Sequence, residues 1–239
     1  MPLPKISTPT YQLELPSTGE TIQYRPFLVK EEKLLLLALE SEDTKQITTA
    51  VKNVIKSCVN TKNIKVEQLP TFDIEYLFLN IRAKSVSEEV EVNIICPDDG
   101  ETTTSVTIQV DEIEVQKNPE HKRNIQVDDD IMMEMRYPSL DQFIKSNFDL
   151  ASENTMEQSF DLVVSCIDKI YTKEEVWSSS DVTKKELNEF LEQMNSVQFK
   201  QIEKFFETMP KLSHTIKVKN PVTKVESEVV LEGLSSFFA

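Results

Sequence analysis

The chain has 239 residues, 39% of them hydrophobic, and its 26 Lys and Arg against 41 Asp and Glu give a formal net charge of −15. An acidic surface of that strength repels phosphate backbones and anionic lipid, so neither nucleic acid nor membrane is an expected partner. Only three glycines are present, far apart at Gly19, Gly100 and Gly233, so there is no clustered glycine loop to cradle a phosphate and no dinucleotide-binding motif.

Three distant cysteines make no even disulfide framework, which fits a reducing compartment. Residues 1 to 9 lack an apolar signal segment and read as an extended Pro-, Ser- and Thr-rich arm. The longest apolar run, Leu34 to Leu39, falls far short of the ~20 residues needed to span a bilayer. A soluble, unsecreted protein is expected.

Tyr11, Leu13 and Leu15 alternate with polar residues, as do Ile22 and Tyr24, with Pro16-Ser17-Thr18-Gly19 between them as a turn. A small hairpin is predicted. The segment from Val29 to Leu39 then runs through six consecutive apolar residues, too continuous for a helix with one wet face, and predicts a central helix buried on most sides. A second helix starts near Asp43 or Thr44 and carries Ile47, Val51, Val54, Ile55 and Cys58 at spacings of three and four. Cys58 reads as a small buried hydrophobe on that stripe.

A helix from Thr71 presents Ile74, Leu77, Phe78 and Ile81 on one face. Two alternating runs follow, Val90-Val92-Ile94 and Val106-Ile108-Val110, joined by Cys96-Pro97-Asp98-Asp99-Gly100. They predict a hairpin with one apolar face lying on the helices. A further alternating run, Ile131, Met133, Met135 and Tyr137, reads as another strand of the same sheet. Asp128-Asp129-Asp130 before it lacks the spaced ligands and terminal Glu of a calcium loop and reads as a solvated turn.

After Pro138 the pattern restarts. Leu140, Phe143 and Ile144 predict a short helix, Thr155 and Gln158 a capping box for a helix carrying Phe160, Val163 and Ile167, and Thr183 and Glu186 a second box before Leu187, Phe190, Leu191 and Met194. Cys166 takes the place that Cys58 holds earlier. Phe199, Ile202, Phe205, Phe206 and Met209 form a dense aromatic stripe, which suits either core packing or a docking surface for a partner helix. Ile216 and Val218, then Val229 and Leu231, predict a second hairpin turning around Asn220-Pro221.

The order helices, then hairpin, thus occurs twice, at offsets that are similar but not constant. Two copies are too few for a solenoid. The expected fold is α+β: an N-terminal arm and small hairpin over residues 1–25, then two duplicated modules, each several helices followed by an antiparallel hairpin, over 26–137 and 138–239.

No chemistry emerges from the reactive residues. Cys96-Pro97-Asp98-Asp99-Gly100 has the outline of a zinc knuckle, but the second thiolate position is Asp99, and the matching turn offers Asn220, Pro221, Val222 and Thr223. An Asp-Gly hairpin turn is expected instead, with no metal and no cofactor. His121 and His214 are the only histidines, and neither belongs to a nucleophile-base arrangement. No catalytic residue is expected.

Three stretches are distinctive: Arg25-Pro26-Phe27-Leu28-Val29-Lys30-Glu31-Glu32-Lys33-Leu34-Leu35-Leu36, the turn at Cys96, and Phe205-Phe206-Glu207-Thr208-Met209-Pro210-Lys211-Leu212 with the terminal Leu234-Ser235-Ser236-Phe237-Phe238. They resemble the baseplate hub subunit family of T-even-like contractile-tailed bacteriophages, over nearly the whole chain. The resemblance implies a non-enzymatic protein of the virion tail baseplate, assembled in the host cytoplasm, either retained as a subunit of the central hub or needed to build it. The alternative is a tail assembly chaperone that holds a tape-measure or hub client and leaves before completion. Other hub or tail proteins are the expected partners, with a homo-oligomer or ring as a further option. Phe205, Phe206, Phe237 and Phe238 are the candidate partner contacts, against ordinary packing of the last two.

Overall fold

The computed structural model describes residues 6–41, 43–62, 64–139 and 155–237. It is α+β, with six helices and several small antiparallel sheets among the described residues. The chain divides into two compact units that are discontinuous in sequence. Unit 1 takes residues 1–66, 72–116 and 211–239, and unit 2 takes 67–71 and 117–210. This division differs from the expected boundaries at 25/26 and 137/138: both long hairpins belong to unit 1, whereas the three helices preceding the second hairpin belong to unit 2.

Unit 1 begins with the small hairpin, β1 Tyr11–Glu14 paired with β2 Thr21–Tyr24. Its turn closes through Gly19, whose φ of +71° is one a side chain would strain. Three helices follow: α1 Val29–Glu40, α2 Thr44–Cys58 and α3 Thr71–Ser85. The stripe of α2 lies inward as its spacing predicts, with Val54, Ile55 and Cys58 fully enclosed.

The enclosed central helix is α3 and not α1. Phe72, Ile74, Leu77, Phe78, Leu79 and Ile81 are all buried, which at about 1.5–3 kcal/mol per side chain places on the order of 10 kcal/mol on this helix. Among the described side chains of α1 the buried ones are Glu31 and Ala38, whereas Leu34, Leu36 and Leu37 are 52%, 55% and 53% exposed. The run of six apolar residues winds right round the helix, and part of it is left in water. Burial pushes the Glu31 carboxyl up, but the Arg25 guanidinium at 3.1 Å, the Leu28 N–H at 2.7 Å and Lys30 outweigh it and hold the group below its ordinary range.

The long hairpins are β3 Glu89–Ile95 with β4 Thr103–Gln109, and β10 Lys211–Lys219 with β11 Glu226–Glu232. β5, Glu114–Gln116, pairs with the start of β10, so that the order in that sheet is β11-β10-β5. One core collects the inward residues of both hairpins, Val90, Val92, Ile108, Ile216, Val218 and Leu231, around Leu79 and Ala83 of α3.

Unit 2 holds a four-stranded antiparallel sheet in sequential order: β6 Asn124–Gln126, β7 Met132–Met135, β8 Ile167–Tyr171 and β9 Val176–Ser178. β7, expected to join the first hairpin's sheet, pairs here with β6 and β8. Asp128 makes the solvated turn between β6 and β7, its Oδ1 accepting from the N–H groups of Asp130 and Ile131. Helix α4, Thr155–Cys166, stops before Ile167 and runs straight into β8. Arg136 ends it, donating its Nε to the Ser165 carbonyl and its backbone N–H to that of Cys166. The predicted helical position of Ile167 is therefore a strand position.

Helices α5, Lys184–Glu192, and α6, Ser196–Thr208, also belong to this unit. The expected Thr183–Glu186 capping box starts α5, and a second box, Asn195 with Gln198, starts α6. The predicted short helix at Leu140, Phe143 and Ile144, the capping side chains of Thr155 and Gln158, and Phe238 lie outside the described residues.

Two polar groups of α3 tie distant segments of unit 1 to it. Asp73, fully buried, accepts from the Ser17 N–H at 3.0 Å and from the Ser17 hydroxyl. Glu75 accepts from the Leu234 N–H at 3.3 Å. Burial pushes Glu75 up to about 7 from 4.5, with the Leu234 N–H pulling the other way. Between these values the folded chain holds a proton that the unfolded chain has released, so stability falls as pH rises through this window, by at most about 3 kcal/mol. Glu75→Gln should remove that fall: the variant is expected to match the native chain in urea melts at pH 4.5 and to exceed it by about 2 kcal/mol at pH 8.

Candidate partner-binding surfaces

The thiols have no reactive setting. Cys58, Cys96 and Cys166 are buried and unpaired. Burial is the first cause that pushes Cys58 and Cys166 up to about 11, which leaves them neutral across the physiological range. His121 stands over Phe205 and Tyr137, at ring distances of 5.1 and 5.5 Å, with its Nδ1 2.9 Å from the Thr208 hydroxyl. That hydroxyl donates to the Lys204 carbonyl, so Nδ1 carries the hydrogen and Nε2, buried without a partner, does not. Burial, then Arg123, lower its pKa. The ring is packing material. His214 belongs to β10 of the other unit, and among the described residues no group of three His, Cys, Asp or Glu is arranged to hold a metal ion.

What unit 2 does present is an apolar groove. α4 contributes Phe160 and Val163 to it, and α6 contributes Phe199, Ile202 and Phe206, around a volume of about 420 Å³ with Glu203 at its margin. Phe160 and Phe199 stack across it at 5.4 Å. The i, i+3, i+4 spacing along α6 puts Phe199, Ile202 and Phe206 in one row. Phe205, one position off that row, turns into the core at 2% exposed and meets Phe206 edge to face at 5.1 Å.

The four candidate contact residues are therefore distributed unequally. Phe205 is core in unit 2, Phe206 is half-buried in the groove wall, Phe237 is fully buried in unit 1, and Phe238 lies outside the described residues. Phe160 and Phe199 were legible as apolar helix positions, but their role as facing walls depends on how α4 and α6 pair.

The hairpin tips of unit 1 form a second constructed feature. Both turns place Pro second, at Pro97 and Pro221, and a left-handed residue fifth, Gly100 at φ +69° and Lys224 at φ +65°. Both close with the fifth N–H donating to the first carbonyl, at 2.9 and 3.0 Å. Between them lies the buried Asn220, whose Nδ2 donates to Asp98 at 3.0 Å and Asp99 at 2.8 Å while its Oδ1 accepts from the Val222 and Thr223 N–H groups. Thr223 also donates its hydroxyl to Asp98. Hydrogen bonds from Thr223 and Asn220 hold Asp98 below its ordinary range; those from Thr102, Asn220 and Glu101 do the same for Asp99. The knuckle outline is filled by an amide.

Asn220→Ala should cost about 2 kcal/mol, since both carboxylates lose a donor at once, read as a lower urea midpoint. Phe205→Ala should cost about 3–5 kcal/mol and Phe206→Ala only about 1, with unchanged circular dichroism. Phe206 is thus the variant that tests the groove without unfolding it.

A family model described as T4 bacteriophage base plate protein matches residues 8–239. No curated protein and no solved structure matches the chain.

Proposed function

The chain belongs to the T4 bacteriophage base plate protein family, and from that premise we propose that it is a non-enzymatic component of the tail baseplate, a subunit of the central hub or a factor needed to assemble it, acting through contacts with other tail proteins. The observation that carries this reading is the groove of Phe160, Val163, Phe199, Ile202 and Phe206. It is shaped to take apolar side chains, with Ser159 and Glu203 as the polar residues of its lining. Its location is the virion baseplate, reached after assembly in the host cytoplasm. The net charge of −15 suits protein neighbours with basic faces and disfavours nucleic acid and membrane surfaces. A homo-oligomer or ring within the baseplate fits the same reading.

The two runs of helices and hairpin are read as copies of one module. The matching proline, left-handed residue and closing hydrogen bond in the two hairpin turns support this, although both hairpins lie in one compact unit.

A second reading, an assembly chaperone absent from the finished particle, is favoured by the same groove with the acidic Glu203 at its margin, which would hold a basic amphipathic client helix. Quantitative mass spectrometry of purified particles separates the two. A fixed stoichiometric amount of this polypeptide is expected for a hub subunit. Its absence from particles, with presence in assembly intermediates, would establish the chaperone reading instead.

A further inference from the structure

We propose that α1 is a self-association face, on which a second copy of this chain lies antiparallel about a two-fold axis. This deepens the reading of a protein that works by contact. It is tested on the isolated chain, so its failure leaves the baseplate role intact, and the reverse also holds.

The outward side of α1 is the wrong kind of surface for water. Val29 is 80% exposed, and Leu36 and Leu37 are each more than half exposed, with Leu28 beside them at 38%. Together they leave an apolar patch on the order of 400 Å², at the size where monomer patches are usually functional. Steps of three and four residues put Val29, Lys33, Leu36, Leu37 and Glu40 along one line facing directly away from the buried Glu31 and Ala38.

That line is self-complementary in one orientation. An antiparallel pair centred between Leu36 and Leu37 sets Leu36 of each copy against Leu37 of the other, and Lys33 of each against Glu40 of the other. A parallel pair would oppose Lys33 to Lys33 and Glu40 to Glu40. Both charged residues are exposed, and neither has an ion-pair partner among the described residues. The exposed charges around this line, Lys30 and Lys33 against Glu32 and Glu40, balance, so the face suits a copy of itself set in reverse better than a partner of one sign. Two such patches with their polar rims bury roughly 1,000 Å² in total, the lower range for a specific interface, and the closed two-fold arrangement needs no further subunits.

Sedimentation velocity of the full chain over a range of concentration tests this. A reversible dimer of the 27.5 kDa chain is expected. Leu36→Ser with Leu37→Ser should leave a folded monomer, because both side chains are exposed in the single copy. Lys33→Glu alone and Glu40→Lys alone should each weaken the dimer roughly tenfold, since each places like charges together at both ends. The double variant Lys33→Glu, Glu40→Lys should restore it to near the native strength. A native chain that stays monomeric at all concentrations, a dimer that survives the two serines, or a double variant no better than the singles would each overturn the proposal. Loss of binding to another baseplate protein in the serine variant of a monomeric chain would assign the face to that protein instead.

Discussion

Two carboxylates on one enclosed helix determine how unit 1 closes. Asp73 and Glu75 are carried into the core by the apolar residues around them on α3, and a carboxylate taken out of water is costly unless donors meet it. The donors come from far along the sequence: Ser17, 56 positions from Asp73, and Leu234, 159 positions from Glu75. Meeting the first fixes the turn of the N-terminal hairpin against α3. Meeting the second fixes the start of the C-terminal turn, whose Phe237 then enters the same core as the two long hairpins. The helix therefore specifies where both ends of the described chain go, through polar groups that a purely apolar helix would lack.

The hairpin tips follow the same logic with neutral and charged groups exchanged. Asp98 and Asp99 stand close enough to repel, and the Asn220 amide between them supplies the donors that a cation would otherwise provide. Because its oxygen is already taken by Val222 and Thr223, the amide is fixed in orientation and its nitrogen must face the carboxylates. One side chain thus shapes its own turn and joins it to the other. An aspartate at position 220 would present an acceptor where a donor is required.

Period and capping made most of the element list legible in the sequence. The hairpin at Tyr11, the stripe of α2, the box at Thr183 and the strands around the Cys96 turn all follow from local patterns. What failed was whatever depended on neighbours. The run Leu34 to Leu39 reads as a buried helix, yet the enclosed helix is α3, whose Asp73, Glu75 and Arg82 make it look amphipathic until their partners are known. Ile167 continues the helical spacing of Phe160 and Val163, yet Arg136 captures the carbonyls at positions 165 and 166 and the chain turns to strand. The division into compact units was hidden for a related reason: sequence order does not reveal that the second hairpin shares the core of the first. Of the candidate contacts, the stripe was visible on α6, but only the 100° between Phe205 and Phe206 decides which ring is core and which is groove.

Two apolar surfaces among the described residues differ in shape, and the shapes discriminate between occupants. Between α4 and α6 the surface is concave and ringed by aromatic faces, so what enters must offer protruding apolar side chains. On α1 it is convex, a ridge with a lysine toward one end and a glutamate at the other. A ridge gains area only against another flat or ridged surface, and opposite charges at its two ends are matched by the same ridge reversed. The two surfaces are built from different helices of different units, with no residue in common. A chain organised in this way can meet its own copy through one helix while offering the groove to a different protein, and assembly can proceed by adding neighbours to a pair already formed.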